Sequence, residues 1–324
     1  MRLALHRRSV LGGLAALAAP TLARAQNFEG RTITMVVPFP AGGGTDVAAR
    51  ILADRLSTAL KARFVIENRP GGGGSIGYVS ATRSAPDGLT VMLTSSAITT
   101  MPFLYPGKGY DPLKETTPVS LLGSGPSLIC VGPHVPASTL RELIDLAKSK
   151  PGGLTYASAG VGSGLHLSAE LFKKMAGIDV KHVPYKGAAL ATSDLLGGRI
   201  DMIVDILSSV KALVEDKKLK ALGITSRERS KLFPDVPPAA ETVPGYEFAA
   251  WFGLYLPAKA PAAMAAELHA AVASVLAMPE VKERYAVLGM ETVGSSPAEF
   301  ERFMAGDLEK WGRVIRELGI SADG

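Results

Sequence analysis

Residues 32–46 read TITMVVPFPAGGGTD, and this stretch decides the architecture. Its first half, residues 32–38, is an apolar, β-branched run of strand length. A loop with three consecutive glycines, Gly42, Gly43 and Gly44, follows at once. Beyond it Val47, Ile51, Leu52, Leu56 and Leu60 recur at helical spacing, which predicts a helix over residues 45–60 with Thr45 as its cap. Strand, glycine loop and helix together open a sheet wound with helices. A helix start offers unpaired N–H groups and partial positive charge, and glycines let a ligand approach the backbone closely. The loop therefore suits an anion. It lacks the Lys of the pattern G-x-x-x-x-G-K-[ST], so it is a poor cradle for a triphosphate. A capped turn without a ligand is the plain alternative.

The alternation continues outward from this unit. A strand at 64–67, a helix at 76–83 and a strand at 90–93 follow, with Gly and Pro marking the turns. A second series starts after Ser124-Gly125-Pro126: strands at 128–131, 154–158, 180–183, 201–205 and 221–224 alternate with helices at 139–148, 165–175, 190–196 and 210–214. The tail holds one apolar strand at 251–256 and two helices near 262–277 and 297–318. That is too little sheet for a third unit, so the tail returns to the first. The prediction is an α/β protein of two doubly wound lobes, built of parallel strands, with a ligand cleft between them. Residues 26–125 plus 227–324 form lobe 1 and residues 126–226 lobe 2, with crossovers near 125–132 and 224–250.

Residues 1–25 read as a segment to be removed. Arg2, Arg7 and Arg8 precede the apolar run 10–22, and Ala23-Arg24-Ala25 supplies a cleavage site, giving a secretory signal peptide cleaved after about Ala25. The run is shorter than the roughly 20 residues a bilayer-spanning helix needs. Arg7-Arg8-Ser9-Val10-Leu11 has the look of a twin-arginine signal, and Sec export with a chance arginine pair stays open. The leader holds four arginines and no acid, so the formal +5 falls to +1 for the remainder. A sequence pI of 9.2 is therefore inflated by the leader, and no basic face is left for nucleic acid. Cys130, the single cysteine, lies in the apolar run Leu128-Ile129-Cys130-Val131 and reads as a buried structural thiol. Five scattered histidines offer no metal-ligand spacing, so neither metal nor cofactor is expected.

Two further glycine loops need weighing. Gly72, Gly74 and Gly77 match G-x-G-x-x-G, but the match follows the second strand and has no acidic residue about 20 positions on. It reads as a structural turn. Residues 157–166, ASAGVGSGLH, follow a strand of the second lobe and open the helix at 165–175. Each lobe thus carries a loop of backbone donors at the carboxyl end of a strand, where open α/β sheets bind ligands. Ser163, His166 and Asp46 or Asp205 sketch a catalytic triad, but Ser163 is not on a G-x-S-x-G elbow. His166 reads instead as a capping or supporting histidine. Lys186 adds positive charge near the cleft or lies beside a turn, with Tyr185 as a candidate wall. Asp205 accepts from a ligand amino or hydroxyl group or caps a helix. The residues leave each pair of readings open. An exported hydrolase or a nucleotide-dependent enzyme in the same cleft is the rival, and it lacks an activated nucleophile, a metal set and a cofactor fingerprint. A binding protein rather than an enzyme is expected.

Taken in order, VPFPAGGGTD at 37–46, ENRPGGGG at 67–74, APDG at 85–88, YASAGVGSGLHL at 156–167, HVPYKG at 182–187, LLGGRID at 195–201 and WFGL at 251–254 form a set. With it the chain resembles the Bug-type receptors of tripartite tricarboxylate transporters. The resemblance implies a periplasmic two-lobed binding protein of type II-like build that closes on its ligand as a hinged clamp. It also implies a small carboxylate as cargo (a di- or tricarboxylate, an acidic amino acid or an aromatic acid), monomeric action and delivery to the transporter's membrane subunits. Carried over by position, the binding residues are Phe39, Ala41, Gly42, Gly43, Thr45, Asp46 and Ser95 from lobe 1. Lobe 2 adds Ala159, Gly160, Gly162, Ser163, Leu165, His166 and Asp205. Two positions depart from the pattern: Pro238 stands where relatives carry Thr, and Ile206 where they carry Asn.

Overall fold

The computed structural model describes residues 27–320, so the leader and its cleavage site lie outside the described residues. From the N-terminal side, β1 (Thr32–Val37), α1 (Gly44–Ala59), β2 (Arg63–Asn68), α2 (Ser75–Thr82) and β3 (Thr90–Ser95) form two parallel βαβ units around β1. The helical repeat read in α1 is its buried face, with Ala48, Ile51, Leu52 and Leu56 packed on the sheet. One-turn helices α3 (Met101–Leu104) and α4 (Pro112–Glu115) lead into β4 (Thr116–Gly125). The sequence reading passed over β4 because Pro118 and its Thr/Ser neighbours break the apolar pattern. Pro118 pairs with Tyr255 beside a register shift, a place where a sheet tolerates a proline.

Only Pro126 separates β4 from β5 (Ser127–Val131), the first strand of a second sheet. Then follow α5 (Leu140–Ser149), β6 (Leu154–Ser158), α6 (Gly164–Ala176), β7 (Val180–Pro184), α7 (Ala188–Leu196), β8 (Met202–Ile206), α8 (Leu207–Glu215) and β9 (Lys220–Ile224). The chain returns through β10 (Ala250–Pro257), α9 (Ala262–Ala277), α10 (Pro279–Val287), β11 (Glu291–Thr292) and α11 (Pro297–Leu318). The first sheet runs β11-β4-β10-β3-β1-β2 and the second β7-β6-β8-β5-β9. Two α/β lobes result, as expected, and β10 and β11 of the tail pair in the first sheet.

The strand directions differ from the parallel expectation. β10 lies antiparallel to both β3 and β4, and β5 antiparallel to both β8 and β9. These are the strands that carry the chain between the sheets, and they enter each one against the run of its βαβ strands. The stretch after β9 also packs differently from the sequence reading, which grouped it with the first lobe. Phe233 and Val236 join one core layer of the second sheet, and Ala239, Val243 and Tyr246 the other. The chain leaves this packing only at Phe248, which contributes to the first core.

α11 is fixed at both ends of its first half. Ser296 and Glu299 form a reciprocal capping box, and the half-buried Asp307 accepts from Thr99 Oγ1 (2.6 Å) and Trp251 Nε1 (3.2 Å). Among the described residues no single helix is long and apolar enough to cross a membrane.

Candidate functional site

Both glycine loops arrive at one cavity. It has a volume of about 260 Å³ and lies between the lobes, walled by the starts of α1, α6 and α7, the ends of β3 and β8, and the entry of β10. At α1 the helix begins one residue earlier than Thr45. Gly43 is its N-cap and no side chain caps it, so the expected Thr45 cap is not formed. Thr45 faces the cavity instead. At α6, Ser163 is the N-cap and its Oγ accepts from the His166 amide at 3.3 Å. The first amides of a helix have no acceptor within it, so Gly44, Thr45, Gly164 and Leu165 bring donors to the cavity wall. α7 opens on the same space through Gly187, again without a side-chain cap.

Of the residues carried over from the family pattern, Phe39, Ala41, Gly43, Thr45, Ser95, Ala159, Ser163, Leu165 and Asp205 line this cavity. Gly42, Asp46, Gly162 and His166 do not, and the reason is the same in both lobes. Gly42 has φ +82° and Gly162 φ +81°, left-handed values that suit glycine. Each turns its amide away from the cleft onto a side chain four residues on. The Gly42 amide donates to Asp46 Oδ2 at 2.9 Å, and the Gly162 amide to His166 Nδ1 at 3.1 Å. Gly160 is likewise engaged within its loop, with its amide on Ser158 Oγ at 3.2 Å. It faces a neighbouring cavity lined by Gly71–Gly74, Tyr105 and Tyr185.

The two braces differ in charge. Asp46 is almost fully buried and also accepts from Arg50 Nε and Asn68 Nδ2, both at 2.9 Å. Burial works to raise its carboxyl, but the bonds from Arg50, Gly42 and Asn68 outweigh it and hold the group below the usual carboxylate range. In the second lobe the brace is a column of rings. His166 stacks on His182 at 4.2 Å between centroids and His182 on Tyr156 at 4.8 Å. Burial, with help from His182 and Lys173, pushes His166 down to about 3. Burial is also the main cause that lowers His182, to about 4, against the pull of Glu170. Both rings are neutral near pH 7, which is what lets Nδ1 of His166 accept. His182 Nε2 meets Ser158 Oγ at 2.7 Å and so supports the Gly160 turn as well.

Asp205 is fully buried at the end of β8. Its Oδ1 accepts from the Ile206 amide at 2.7 Å, and the Ser209 side chain also bonds to the carboxyl. Burial pushes this carboxyl up to about 7, against the bonds from Ile206 and Ser209. Among the described residues Lys186 is the single basic side chain that borders the cavity, and Tyr185 is tied to Asp194 at 2.7 Å outside it. Among the wall residues that sequence reasoning did not find are Ser96, Leu190, Ser209, Ala250 and Phe252. The α7 start was legible by the same strand-to-helix signal as the others. Phe252 carries no local signal, because only the return of β10 beside β3 brings it here. No cluster of His, Cys, Asp or Glu able to hold a metal ion occurs among the described residues.

The lobes touch around the cavity. Thr100 Oγ1 of the first donates to the Gly162 carbonyl of the second at 3.0 Å, and Ile206 packs so closely on Gly44 that an added Cβ there would meet its δ-methyl at 2.1 Å.

Comparison with known proteins agrees with this geometry. Residues 48–320 match the model of the tripartite tricarboxylate transporter family receptor. Protein BugT of Bordetella pertussis is 36% identical over 310 residues, covering 94% of both chains. Among solved structures, R. palustris Rpa4515 with adipate superposes with a TM-score of 0.87 at 35% identity, over 91% of this chain and 99% of that one. MatC from Rhodopseudomonas palustris with bound malate gives 0.84 at 31%, over 89% and 100%. On this family match and on the similarity to BugT over nearly its whole length, the chain belongs to the receptor family of tripartite tricarboxylate transporters.

Proposed function

We propose that the protein is a periplasmic receptor that captures a small carboxylate between its lobes and delivers it, as a monomer, to the membrane subunits of a tripartite transporter. The observation that carries this reading is the convergence of the α1 and α6 starts on one cavity, where Gly44 and Thr45 of one helix and Gly164 and Leu165 of the other present amides that have no acceptor within the helix. A carboxylate placed there accepts from backbone amides of both lobes and gains from both helix dipoles. The adipate and malate seen in two relatives are acids of this size. Ligand contacts are proposed at Thr45, Ser95, Ser163 and Leu165, whereas Gly42, Asp46, Gly162 and His166 act by holding the two loops in shape. Contacts across the cleft, such as Thr100 to Gly162, belong to the closed state, so a ligand that bridges the lobes draws the protein toward it.

A hydrolytic role has little to work with. Ser163 Oγ serves as a helix cap and His166 Nδ1 already accepts a backbone bond. Thermal unfolding of the leader-free protein against a panel of mono-, di- and tricarboxylates tests the reading. A ligand at a hundredfold excess over Kd adds about 2.7 kcal/mol to the folded state, a shift of several degrees. A panel without any shift, or turnover of a panel member, defeats the proposal.

A further inference from the structure

The loop Gly71–Gly74 carries four successive glycines with left-handed φ, from +55° at Gly72 to +125° at Gly71. It follows β2, the edge strand of the first sheet, which lies three strands from β10. β10 brings the chain back from the second lobe, so the loop sits about 14 Å from that passage at the usual strand spacing. Here lobe 1 meets lobe 2. A Cβ on Gly73 would overlap the carbonyl oxygen of Val161, in the loop that follows β6. The contact bounds the neighbouring cavity of about 670 Å³, which adjoins the ligand cavity along Phe39, Pro40, Ala159 and Lys186.

Other glycines of the cleft also meet the opposite lobe. A Cβ at Gly44 would strike the Ile206 δ-methyl, one at Gly162 would lie 2.5 Å from a Leu104 δ-methyl, and one at Gly187 3.1 Å from the Pro40 ring. Those obstacles are side-chain atoms that can shift. The Val161 carbonyl belongs to the backbone and cannot rotate aside. Building on the receptor function proposed above, we infer that Gly73 is the landing point of lobe 1 on lobe 2, and that its missing side chain sets how far the cleft closes. It is a positioning residue, acting on the ligand through the distance between the lobes. A methyl group at this place would hold the two loops apart by about 1 Å, a turn of about 4° on an arm of about 14 Å. The open state, in which the loops are separate, is left as it was, so the whole cost falls on the closed state and on the ligand that needs it.

The neighbouring glycine supplies the control. Gly72 has nearly the same φ, +55° against +62°, but a Cβ there would meet only Ser75 Oγ of its own loop, the tip of a side chain that can rotate. Alanine at either position carries the same left-handed strain, and asparagine tolerates that backbone at both. Leader-free wild type and the variants Gly73→Ala, Gly73→Asn, Gly72→Ala and Gly72→Asn are titrated by calorimetry with succinate, malate, adipate, citrate, glutamate and benzoate. Release of the tightest binder is followed by stopped flow, and stability by urea unfolding. Both Gly73 variants should bind at least about fivefold more weakly, through faster release and with the ranking of the acids unchanged. Both Gly72 variants should stay within about twofold of wild type. In urea, Gly73→Asn and Gly72→Asn should unfold alike, which separates closure from loop strain. Gly73 variants that bind as tightly as wild type overturn the inference and leave the receptor function standing. So do Gly72 variants that lose as much affinity, which would make loop shape the cause, and so does an altered ranking, which would place Gly73 in the binding wall. If wild type binds none of the acids, the receptor function falls, and the inference with it.

Discussion

The amide of Gly162 donates to Nδ1 of His166 at 3.1 Å, and this bond holds the second-lobe loop open toward the cleft. It is the counterpart of Gly42 on Asp46 in the first lobe, with the same spacing of four residues and nearly the same glycine φ. One acceptor is an ionised carboxylate and the other a neutral imidazole. His166→Ala leaves the buried Gly162 amide without an acceptor, at a cost of about 1–3 kcal/mol. Affinity for the best carboxylate of the panel should fall along with stability. His166→Asn supplies an oxygen near the same place and should recover most of both, measured by denaturant unfolding and titration. An Asn variant no better than the Ala one would show that ring packing, not the bond, is what matters.

The buried histidines and Asp205 pull stability in opposite directions with pH. His166 and His182 have folded pKa values of about 3 and about 4, below the 6.5 of the unfolded chain. Their neutral forms favour the fold above pH 6.5, and that contribution is lost as the pH falls toward those values. Asp205 is raised to about 7 from 3.8, so its contribution is complete below 3.8 and is lost as the pH rises through 7. Each such group changes stability by about 1.4 kcal/mol per pH unit within its window. Two histidines outweigh one aspartate, so from pH 6.5 down to 4 the ligand-free protein should lose stability. Between 6.5 and 7 the remaining protonation of the unfolded histidines offsets Asp205, and stability should be nearly level. In Asp205→Asn that offset disappears, so stability should rise a little over this range and the acid slope should steepen. Urea unfolding midpoints across pH 4–8 measure both, and an unchanged acid slope in that variant would refute the assignment to Asp205.

These features were unequally visible in the sequence. The α1 and α6 starts could be read because glycines between an apolar run and a helical repeat are a local signal, as at Gly42–Gly44 and Gly160–Gly164. What each glycine does was not local. Gly42 and Gly162 look like ligand-facing donors until the structure gives their amides to Asp46 and His166. The ring column needs β6 and β7 side by side, since His182 comes from the neighbouring strand. β4 escaped notice because Pro118 breaks its pattern, and with it went the antiparallel seam against β10. Phe252 and Ala250 reach the cavity only through that seam.

Closure should be sensitive to a bond remote from any proposed ligand contact. Thr100 Oγ1, buried in the first lobe, donates to the Gly162 carbonyl of the second at 3.0 Å. Thr100→Val keeps the shape and removes the donor. The opening motion proposed above breaks this bond and leaves Thr100 Oγ1 the Ala97 carbonyl, at 2.9 Å, as its acceptor, so the loss, at most about 1 kcal/mol, falls on the closed state. Apparent affinity should drop about fivefold, mainly through faster release, while the relative preference among ligands stays as it was. Stopped-flow release rates decide the matter. A changed ligand ranking would place Thr100 in the binding wall instead.

The passage between the lobes has little room to spare. Gly125 ends β4 one residue before Pro126, and a Cβ there would lie 2.1 Å from the backbone oxygen of Gly289. Beside it Thr225 Oγ1 accepts from the Ser127 amide at 2.8 Å and donates to the Phe248 carbonyl at 2.7 Å, tying the outgoing and returning segments together. A backbone atom cannot swing aside as a side chain tip can, so Gly125→Ala must push the segment before β11 away from β4. Overpacking of this sort costs about 1–3 kcal/mol. Thr225→Val removes both bonds and leaves the Ser127 amide and the Phe248 carbonyl without this partner, at a similar cost. Gly125→Ala should therefore lower the unfolding midpoint by several degrees and, because the shifted segment borders the passage, alter affinity too. Thr225→Val should lower the midpoint and also raise amide exchange at Ser127, which the Gly125 variant should not. If Thr225→Val leaves exchange at Ser127 unchanged, the tie between the two segments is not what Thr225 provides.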